Sequence, residues 1–329
     1  MNIGDIIQRA TDWLLQLFRP APTPPTPPSS GNRKVSLIIL DPILPTEGGR
    51  RMRQVLGWND PERLVADFIS DLRSASYGYA NYEISERFLD DEFHRLDDGY
   101  TYTGDEFLRC WRARSGFHKP DSVHADYLHL LAKYDLVSKV QTGAIDEVWL
   151  MGYPYAGFFE SRMAGPGAFW CNGPVIENTL GAARRFVVMG FNFERGVGEM
   201  LESYGHRAES ILNQVYQRIP EAMSLWQRFQ RYDQKFPGQA EVGTVHFAPN
   251  STKDYEWGRQ TAVLSHSRAW LSFPDLSAPA RMEDCSEWGN GDIRAHHVWW
   301  LNHLLHASGQ ANGISYNWWE YIVDPNQVR

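Results

Sequence analysis

The sequence has little cysteine, no long apolar run and no excess of positive charge. Its 329 residues include only three cysteines, too few for the disulfide framework of a small secreted module. No stretch of about 18 consecutive apolar residues is present, so the sequence predicts no membrane-spanning helix. The 40 acidic residues outnumber the 32 lysines and arginines and give a net charge of −8, which argues against nucleic-acid binding.

The signature motifs of several enzyme classes are also missing from the sequence. It contains no HExxH motif, no CxxC pair and no DxDxG loop, and therefore no strong metal signature. The GxSxG elbow, the Walker loop and the GxGxxG turn are absent as well. These absences argue against a serine α/β-hydrolase, a P-loop NTPase and a dinucleotide dehydrogenase of the usual kind.

Aromatic residues are abundant, at 13% of the chain, and include 13 tryptophans. Several lie close together near the C-terminus, at Trp288, Trp299–Trp300 and Trp318–Trp319. Exposed tryptophans beside polar residues would form stacking platforms for sugar rings, whereas buried ones would build a core under long loops. No strict stripe of aromatic residues marks a sugar platform, and we therefore expect most of the tryptophans in the core.

Residues 1–19 and the proline-rich segment 20–34 differ from the rest of the chain. Apolar residues recur at helical spacing in 1–19, which predicts an amphipathic helix, and the prolines of 20–34 predict an extended, semi-rigid linker. We therefore expect three units: the helix 1–19, the linker 20–34 and a single α/β domain over 35–329. The apolar positions of the helix are Ile3, Ile6, Ile7, Ala10, Trp13, Leu14, Leu17 and Phe18.

The amphipathic segment 1–19 has three alternative roles. It could dock to a partner or carrier protein, pack back onto its own domain, or lie on a membrane surface, although the lack of a Lys/Arg face weakens the last. It is not a convincing secretory signal, because its start is acidic at Asp5 and no small-residue cleavage site follows. We expect synthesis and folding in the cytoplasm, with leader-independent export left open.

The body of the chain alternates strand-like and helix-like segments. Continuous β-branched and aliphatic runs at 35–42, 145–153 and 184–192 are typical of strands buried on both faces of a parallel sheet. This order predicts an α/β fold with a mostly parallel sheet, helices on both faces and a long loop-rich C-terminal part. A further strand is predicted at 78–88, helices at 62–75, 105–112, 122–139, 197–218, 220–236 and 296–307, and mostly loops at 237–293.

The helix predicted from Val197 carries the most informative side chains. Placed on a helix, Glu199, Glu202, His206 and Glu209 fall within one arc of about 80°. His206 lies four residues after Glu202 and three before Glu209, so these side chains meet on one face. An imidazole and carboxylates at such spacings can hold a divalent metal, for which zinc is the best match. The helix also follows a predicted strand, where the crevice of such a sheet lies.

Other groups of the predicted site must come from elsewhere in the chain. His246 ends a short apolar run and is a candidate third metal ligand. Glu199 and Glu160, the latter in the glycine-rich loop 153–174, are the candidate catalytic residues that would activate a water. Cys171 in the same loop could be a nucleophile only with a histidine in reach, and packing is the simpler interpretation.

The polar helix face has a simpler interpretation as a solvated surface. Two observations favour a site instead. Its three carboxylates have only Arg195 to balance them. Gly198 and Gly205 also lie in the helix, where each costs roughly 1 kcal/mol relative to alanine unless a close approach requires it.

The sequence supports three functional hypotheses. The first is a metal-assisted hydrolase of a peptide, amide or glycan-like polymer, with a zinc-like ion on His206, Glu202 or Glu209, and His246. The second is a metal-independent carbohydrate-active or carbohydrate-binding protein that uses Glu160 and a carboxylate of the helix face as an acid/base pair. The third is a non-enzymatic cargo or interaction module that docks through residues 1–19.

Overall fold

Most of the apolar run 35–42 lies in an interior strand of a five-stranded sheet. A computed structural model describes residues 32–329, and the predicted helix 1–19 and most of the linker 20–34 lie outside the described residues. The strands are β1 (Arg33–Leu40), β2 (Ile43–Leu44), β3 (Arg50–Arg51), β4 (Tyr82–Asp90), β5 (Glu147–Gly152), β6 (Ser161–Ala164), β7 (Phe186–Asn192), β8 (Val263–Ser265), β9 (Arg281–Glu283), β10 (His306–Ala311) and β11 (Ile314–Asn317).

The main sheet has the strand order β4-β1-β5-β7-β6. The pairs of β1 with β4, β1 with β5 and β5 with β7 are parallel, and β6 is an antiparallel edge strand on β7. The mostly parallel α/β sheet is therefore confirmed. The loop 153–174 had no predicted strand; the structure places the short strand β6 inside it. The remaining strands form two-stranded sheets, β2-β3, β8-β9 and β10-β11.

Helices connect and cover these strands. The α-helices are α1 (Met52–Leu56), α2 (Pro61–Ala75), α3 (Gly104–Ala113), α4 (Tyr127–Lys133), α5 (Leu136–Thr142), α6 (Val197–Tyr216), α7 (Leu225–Phe229), α8 (Ile293–Asn302) and α9 (Trp319–Val323). Short 3-10 helices lie at Pro45–Glu47, Leu180–Ala182, Glu221–Met223, Ser267–Ser272, Cys285–Trp288 and Pro325–Gln327. Among residues 32–329, no helix is long and apolar enough to cross a membrane.

Two predicted helices are wrong as single elements. The segment 122–139 contains α4 and the start of α5, separated because the backbone of Asp135 is left-handed (φ 53°, ψ 38°), which a continuing α-helix excludes. The segment 220–236 contains only one 3-10 turn and α7. There Ser224 is extended and caps α7 with its hydroxyl, and the Phe229 carbonyl accepts hydrogen bonds from Val242 and Gly243 instead of continuing the helix.

Helices pack against both faces of the sheet. On one face, the ring of Phe68 in α2 lies 5.2 Å from those of Trp149 and Phe191 and 6.0 Å from that of Tyr204 in α6. On the other face, Tyr134 between α4 and α5 packs on Phe88 of β4 with ring centroids 4.8 Å apart. Successive strand residues point to opposite faces, so both layers of helices bury apolar strand residues.

The tryptophans mainly build the core, as the sequence suggested. Seven of them are less than 2% exposed, and several rings pack edge to face around Phe229. These buried rings cannot serve as a sugar-stacking platform. The seven are Trp149, Trp226, Trp270, Trp288, Trp300, Trp318 and Trp319.

Helix α6 is fixed to the sheet by a buried ion pair. The Arg207 guanidinium donates to both carboxylate oxygens of Glu147 in β5, at 2.9 and 2.8 Å, and to the carbonyl of Ile322 in α9 at 2.9 Å. Arg207 and Glu147 are 0% and 1% exposed. Because leaving either charge unpaired in the core would be costly, this pair holds α6 in one position on the sheet.

Candidate metal centre

A cleft opens at the carboxyl ends of β5 and β7, where the sequence predicts it. It has a volume of about 390 Å³ and lies beside the first turns of α6. The strand order reverses between β1 and β5, and a cleft could also have opened there. Aromatic rings cover that point, because Phe93 and Phe107 pack on Tyr153, which follows β5. The cleft is lined by Pro120, Asp121, Tyr153, Tyr155, Ala156, Gly157, Phe158, Glu160, Gly190, Phe191, Asn192, Arg195, Gly196, Glu199, Met200 and Ser203.

Three of the predicted ligand residues meet beside this cleft. The His206 Nε2 atom lies 2.9 Å from His246 Nε2 and 3.9 Å from Glu202 Oε1, and His246 Nε2 lies 3.1 Å from the same carboxylate oxygen. We call Glu202, His206 and His246 the triad. These three residues could hold a metal ion, because each offers one ligand atom within 4.8 Å of the other two.

The helix face that carries the triad is not a solvated surface. Glu202 is 5% exposed, and the side chain of His206 is 17% exposed. The glycines explain how other segments come so close to α6. A Cβ atom at Gly198 would lie 2.4 Å from Ile293 Cγ2, and one at Gly205 would lie 2.7 Å from Val245 Cγ2. Both glycines therefore allow a neighbouring segment to pack directly against the backbone of α6. The segment at Gly205 contains Val245, which directly precedes the triad residue His246.

A carboxylate lies behind each of the two imidazoles. Glu209 Oε2 is 3.1 Å from His206 Nδ1, and Asp254 Oδ1 is 3.0 Å from His246 Nδ1. Glu209 also accepts a hydrogen bond from the Val245 backbone N–H at 3.0 Å. Glu209, predicted as a ligand, thus lies on the ring nitrogen of His206 that faces away from the triad. Asp254 was missed by the sequence analysis, since no spacing rule links a loop aspartate to His246.

The charges around the triad favour a positive charge inside it. The hydrogen bond to Glu202 raises the pKa of His246 above its ordinary value. Burial alone would lower the pKa of His206, but the hydrogen bond and charge of Glu209 outweigh it, and the net shift is upward. Burial alone would raise the pKa of Glu202, but the hydrogen bond with His246 brings it below its ordinary value.

Glu160 connects the triad to the cleft. Its Oε2 atom lies 4.0 Å from His206 Nε2 and accepts a hydrogen bond from the Asn172 amide at 2.5 Å. The side chain is 40% exposed and lines the cleft. Burial, together with the nearby charge of Glu202, raises the pKa of Glu160 above its ordinary value. A carboxyl group in this setting is suited to proton transfer.

Glu199, the other predicted catalytic residue, lies further along the cleft wall. It is in the first turn of α6, where its Oε2 atom accepts a hydrogen bond from the Gly196 backbone N–H at 3.0 Å. This hydrogen bond caps the helix. Of the two predicted catalytic carboxylates, Glu160 is therefore the one that the structure brings next to the triad.

Cys171 has the environment of a packing residue. It is fully buried, and its Sγ atom lies 3.6 Å from the Ser161 hydroxyl. Burial raises the pKa of this thiol, which disfavours the thiolate that a nucleophile needs.

Fold and site together define an α/β protein with a histidine–carboxylate cluster beside a cleft at the carboxyl edge of its sheet. Comparisons with protein-family models, with curated proteins and with solved structures found no match.

Proposed function

We propose that this protein is a metal-assisted hydrolase, in which Glu202, His206 and His246 hold a zinc ion next to the cleft. Two histidines and one glutamate form a ligand set that catalytic zinc sites use, with the fourth position left for water or substrate. Ligands of a tetrahedral zinc ion lie roughly 3.3 Å apart. The distances of 2.9, 3.1 and 3.9 Å within the triad bracket this value.

The observation that carries the proposal is the orientation of the two imidazoles. A carboxylate only accepts hydrogen bonds, so the Nδ1 atoms of His206 and His246 carry the protons that face Glu209 and Asp254. When both rings are neutral, their Nε2 lone pairs face each other and the Glu202 carboxylate, and the raised pKa of each ring reflects the attraction of this cluster for a positive charge. A proton on one Nε2 atom makes a single linear hydrogen bond, whereas a metal ion can bind all three ligand atoms at once. Carboxylates behind ligating histidines are also typical of metal sites.

Glu160 is the proposed general base. A zinc ion in the triad would supply a Lewis acid and lower the pKa of a bound water. Glu160 lies within 4.0 Å of His206 Nε2 and lines the cleft, so it can reach a water on the cleft side of the triad. The raised pKa of its carboxyl group suits a group that accepts a proton and then returns it to a leaving group.

The proposed substrate is a polymer with peptide, amide or glycan-like linkages. The cleft carries polar and charged side chains, among them Asn192 and Arg195, beside the aromatic ring of Tyr155. Tyr155 is 44% exposed and stacks on Phe117 with ring centroids 3.6 Å apart. An open cleft with an exposed aromatic ring and polar walls suits an extended chain better than a small apolar ligand.

Metal binding is the first test of this proposal. We expect the full-length protein to bind one equivalent of zinc and to melt at a higher temperature with zinc than with chelator, because a ligand that binds the folded state stabilises it. His206→Ala should lose both effects. His124→Ala is the matched control, because His124 is a half-exposed histidine that lies 3.7 Å from Asp97, and it should behave as wild type. A wild-type melting temperature that responds to neither chelator nor zinc would overturn the proposal.

Hydrolysis is the second test. Zinc-loaded protein would be screened against peptide, amide and polysaccharide polymers. On any substrate found, Glu160→Gln should lower kcat by roughly 10²–10⁴-fold and retain zinc, since general-base catalysis contributes on this order. Glu194→Gln is the control, because Glu194 is exposed just beyond β7. Full activity of Glu160→Gln would remove Glu160 from the catalytic role.

A further inference from the structure

Helices α6 and α8 lie side by side in a defined register. The Cα of Gly198 faces Ile293, and the Cα of Gly205 faces Trp300, whose ring would lie 3.7 Å from an added Cβ. The two contacts are seven residues apart on each helix, so the helices run in the same direction along their contact. A residue of α8 halfway between Ile293 and Trp300 therefore lies beside the residue of α6 that is halfway between Gly198 and Gly205.

His297 is at this level, opposite Glu202. It is 0% exposed, and its imidazole interacts electrostatically with the Glu202 carboxylate and with the imidazoles of His206 and His246. Its Nδ1 atom is 2.7 Å from the carbonyl oxygen of Ile293. Among residues 32–329, its Nε2 atom has no hydrogen-bond partner.

The protonation of His297 follows from these contacts. A carbonyl oxygen only accepts, so Nδ1 carries the proton. Among residues 32–329 no group pairs with Nε2, which is buried, so this nitrogen presents a free lone pair. A buried imidazole fixed at Nδ1 by a carbonyl, with Nε2 unprotonated, has the form of a metal ligand. Leaving such an acceptor buried without a partner is otherwise costly.

We infer that His297 supplies a fourth protein donor, its Nε2 atom, to the metal centre, which is then held by three imidazoles and one carboxylate. The inference rests on the proposed function, because it concerns the ion of that same site. His297 is not one of the three residues whose ligand atoms lie within 4.8 Å of one another. For its Nε2 atom to bind, the ring would have to move toward Glu202, and a water would then take a fifth position on the side facing Glu160.

Three nitrogen ligands and one oxygen ligand determine which metal ions the site should prefer. Imidazole suits zinc, cobalt, nickel, copper and iron, whereas magnesium and calcium prefer oxygen ligands. Zinc and cobalt should therefore bind, and magnesium and calcium should not compete at equal concentration.

The experiment compares two asparagine variants in the full-length protein, one in α8 and one at the residue that follows it. In His297→Asn the amide nitrogen can still donate to the Ile293 carbonyl, while the Nε2 donor is removed. His303→Asn is the matched control. His303, directly after α8, is also buried, its Nδ1 lies 2.7 Å from the Trp299 carbonyl, and burial lowers its pKa to about 4. The measurements are zinc affinity by chelator competition and the visible spectrum of the Co²⁺-loaded protein.

We expect His297→Asn to weaken zinc binding at least tenfold and to change the Co²⁺ spectrum, because a ligand is lost. His303→Asn should leave affinity and spectrum as in wild type. Equal affinity and an unchanged spectrum for His297→Asn would overturn the inference while leaving the proposed function intact. Failure of wild-type protein to bind any metal would instead overturn the proposed function, and the two failures are thus distinguishable.

A measurement on the wild-type protein covers the case in which His297→Asn does not fold. X-ray absorption of the zinc-loaded chain counts the imidazoles bound to the ion. Three imidazoles support the inference, and two imidazoles overturn it.

Discussion

At the scale of single residues, Asp254 illustrates how a loop side chain can orient a histidine of the proposed metal site. It lies 3.0 Å from His246 Nδ1 and thereby fixes which ring nitrogen faces His206 and Glu202. Its own side chain is 54% exposed. A change there should affect the orientation and basicity of His246 far more than the folding of the chain.

We predict that Asp254→Asn weakens zinc binding by roughly 10–100-fold, the usual effect of losing a carboxylate behind a ligating histidine. The free energy of unfolding without metal should change by less than about 0.5 kcal/mol, as for most surface substitutions. Chelator competition and urea unfolding measure the two quantities. Asp275→Asn is the control, since Asp275 caps an exposed turn at Ser277. Unchanged zinc affinity in Asp254→Asn would contradict the prediction.

The sequence identifies site residues only where spacing along one helix defines them. Glu202, His206 and Glu209 could be placed on one face of α6 because three and four residues separate them. That His246 would reach the same point depended on the packing of a loop about 40 residues later, and could be proposed only as a candidate. Asp254 and His297 could not be chosen from sequence, because their positions depend on a loop turn and on the register of two helices.

At the scale of elements, the contact between α6 and α8 depends on glycine. Gly198 is buried in the first turn of α6, where an added Cβ would lie 2.4 Å from Ile293 Cγ2 and 3.0 Å from the Arg294 backbone nitrogen. The second of these contacts is with backbone, which cannot move aside as a flexible side chain does. The register of the two helices therefore requires a residue without a side chain here.

We predict that Gly198→Ala destabilises the fold by about 1–3 kcal/mol, the usual cost of overpacking, although alanine favours a helix by roughly 1 kcal/mol. Gly181→Ala is the control, because its Cβ would meet only Val137 Cγ1, at 3.5 Å. Urea unfolding of both variants measures the difference. If Gly198→Ala proves as stable as wild type, the two helices do not approach as closely as described.

The elements that the sequence predicts well are those with a strong local pattern. The buried strands β1, β5 and β7 and the helix α6 were expected within a few residues of their bounds. The interruptions of the predicted helices were not expected. At Asp135, for example, nothing in the neighbouring sequence indicates a left-handed backbone, because an aspartate is also compatible with a helix. Strand β6 was missed for a related reason, since its four residues become a strand only by pairing with β7.

At the scale of the whole molecule, the core contains histidines that are neutral when folded. Burial lowers the pKa of His94 and of His303 to about 4 in each case. His94 lies 2.7 Å from the Ala156 carbonyl and 3.0 Å from the Tyr153 hydroxyl, beneath the floor of the cleft. An imidazole in the unfolded chain has a pKa of about 6.5, so the unfolded chain takes up protons before the folded protein does.

We predict that the protein loses stability as the pH falls from about 6.5 to about 4, by about 3 kcal/mol for each such histidine, because the unfolded state binds more protons there. Urea unfolding in the presence of chelator, at intervals between pH 7 and pH 4.5, measures how steeply the free energy of unfolding changes with pH. His303→Asn should make the free energy of unfolding depend less steeply on pH. A free energy of unfolding that stays constant over this range would contradict the prediction. Paired aspartates such as Asp90, whose pKa lies below the ordinary value, contribute only at lower pH.

The sequence predicts that the segment before β1 is a docking unit apart from the α/β domain. Because β1 begins at Arg33, whose side chain faces Asp146 and Asp324, a truncation has to stop at residue 31. We predict that deleting 1–31 leaves the melting temperature nearly unchanged. Fusing 1–31 to an unrelated protein should transfer localisation or loading onto a carrier. If the deletion lowers the free energy of unfolding by several kcal/mol, and the fusion transfers neither localisation nor loading, the segment is part of the fold.

The contact between His246 and His206 joins the long C-terminal loop region to α6. An ion bound there would act as a removable cross-link between a helix and a loop. Lys253 is exposed in that loop, next to Asp254, and offers a trypsin site. Zinc should then slow cleavage after Lys253 and chelator should speed it, while cleavage after Arg114, an exposed residue just beyond α3, should proceed at the same rate in both. The metal would thus decide how long this loop survives a protease.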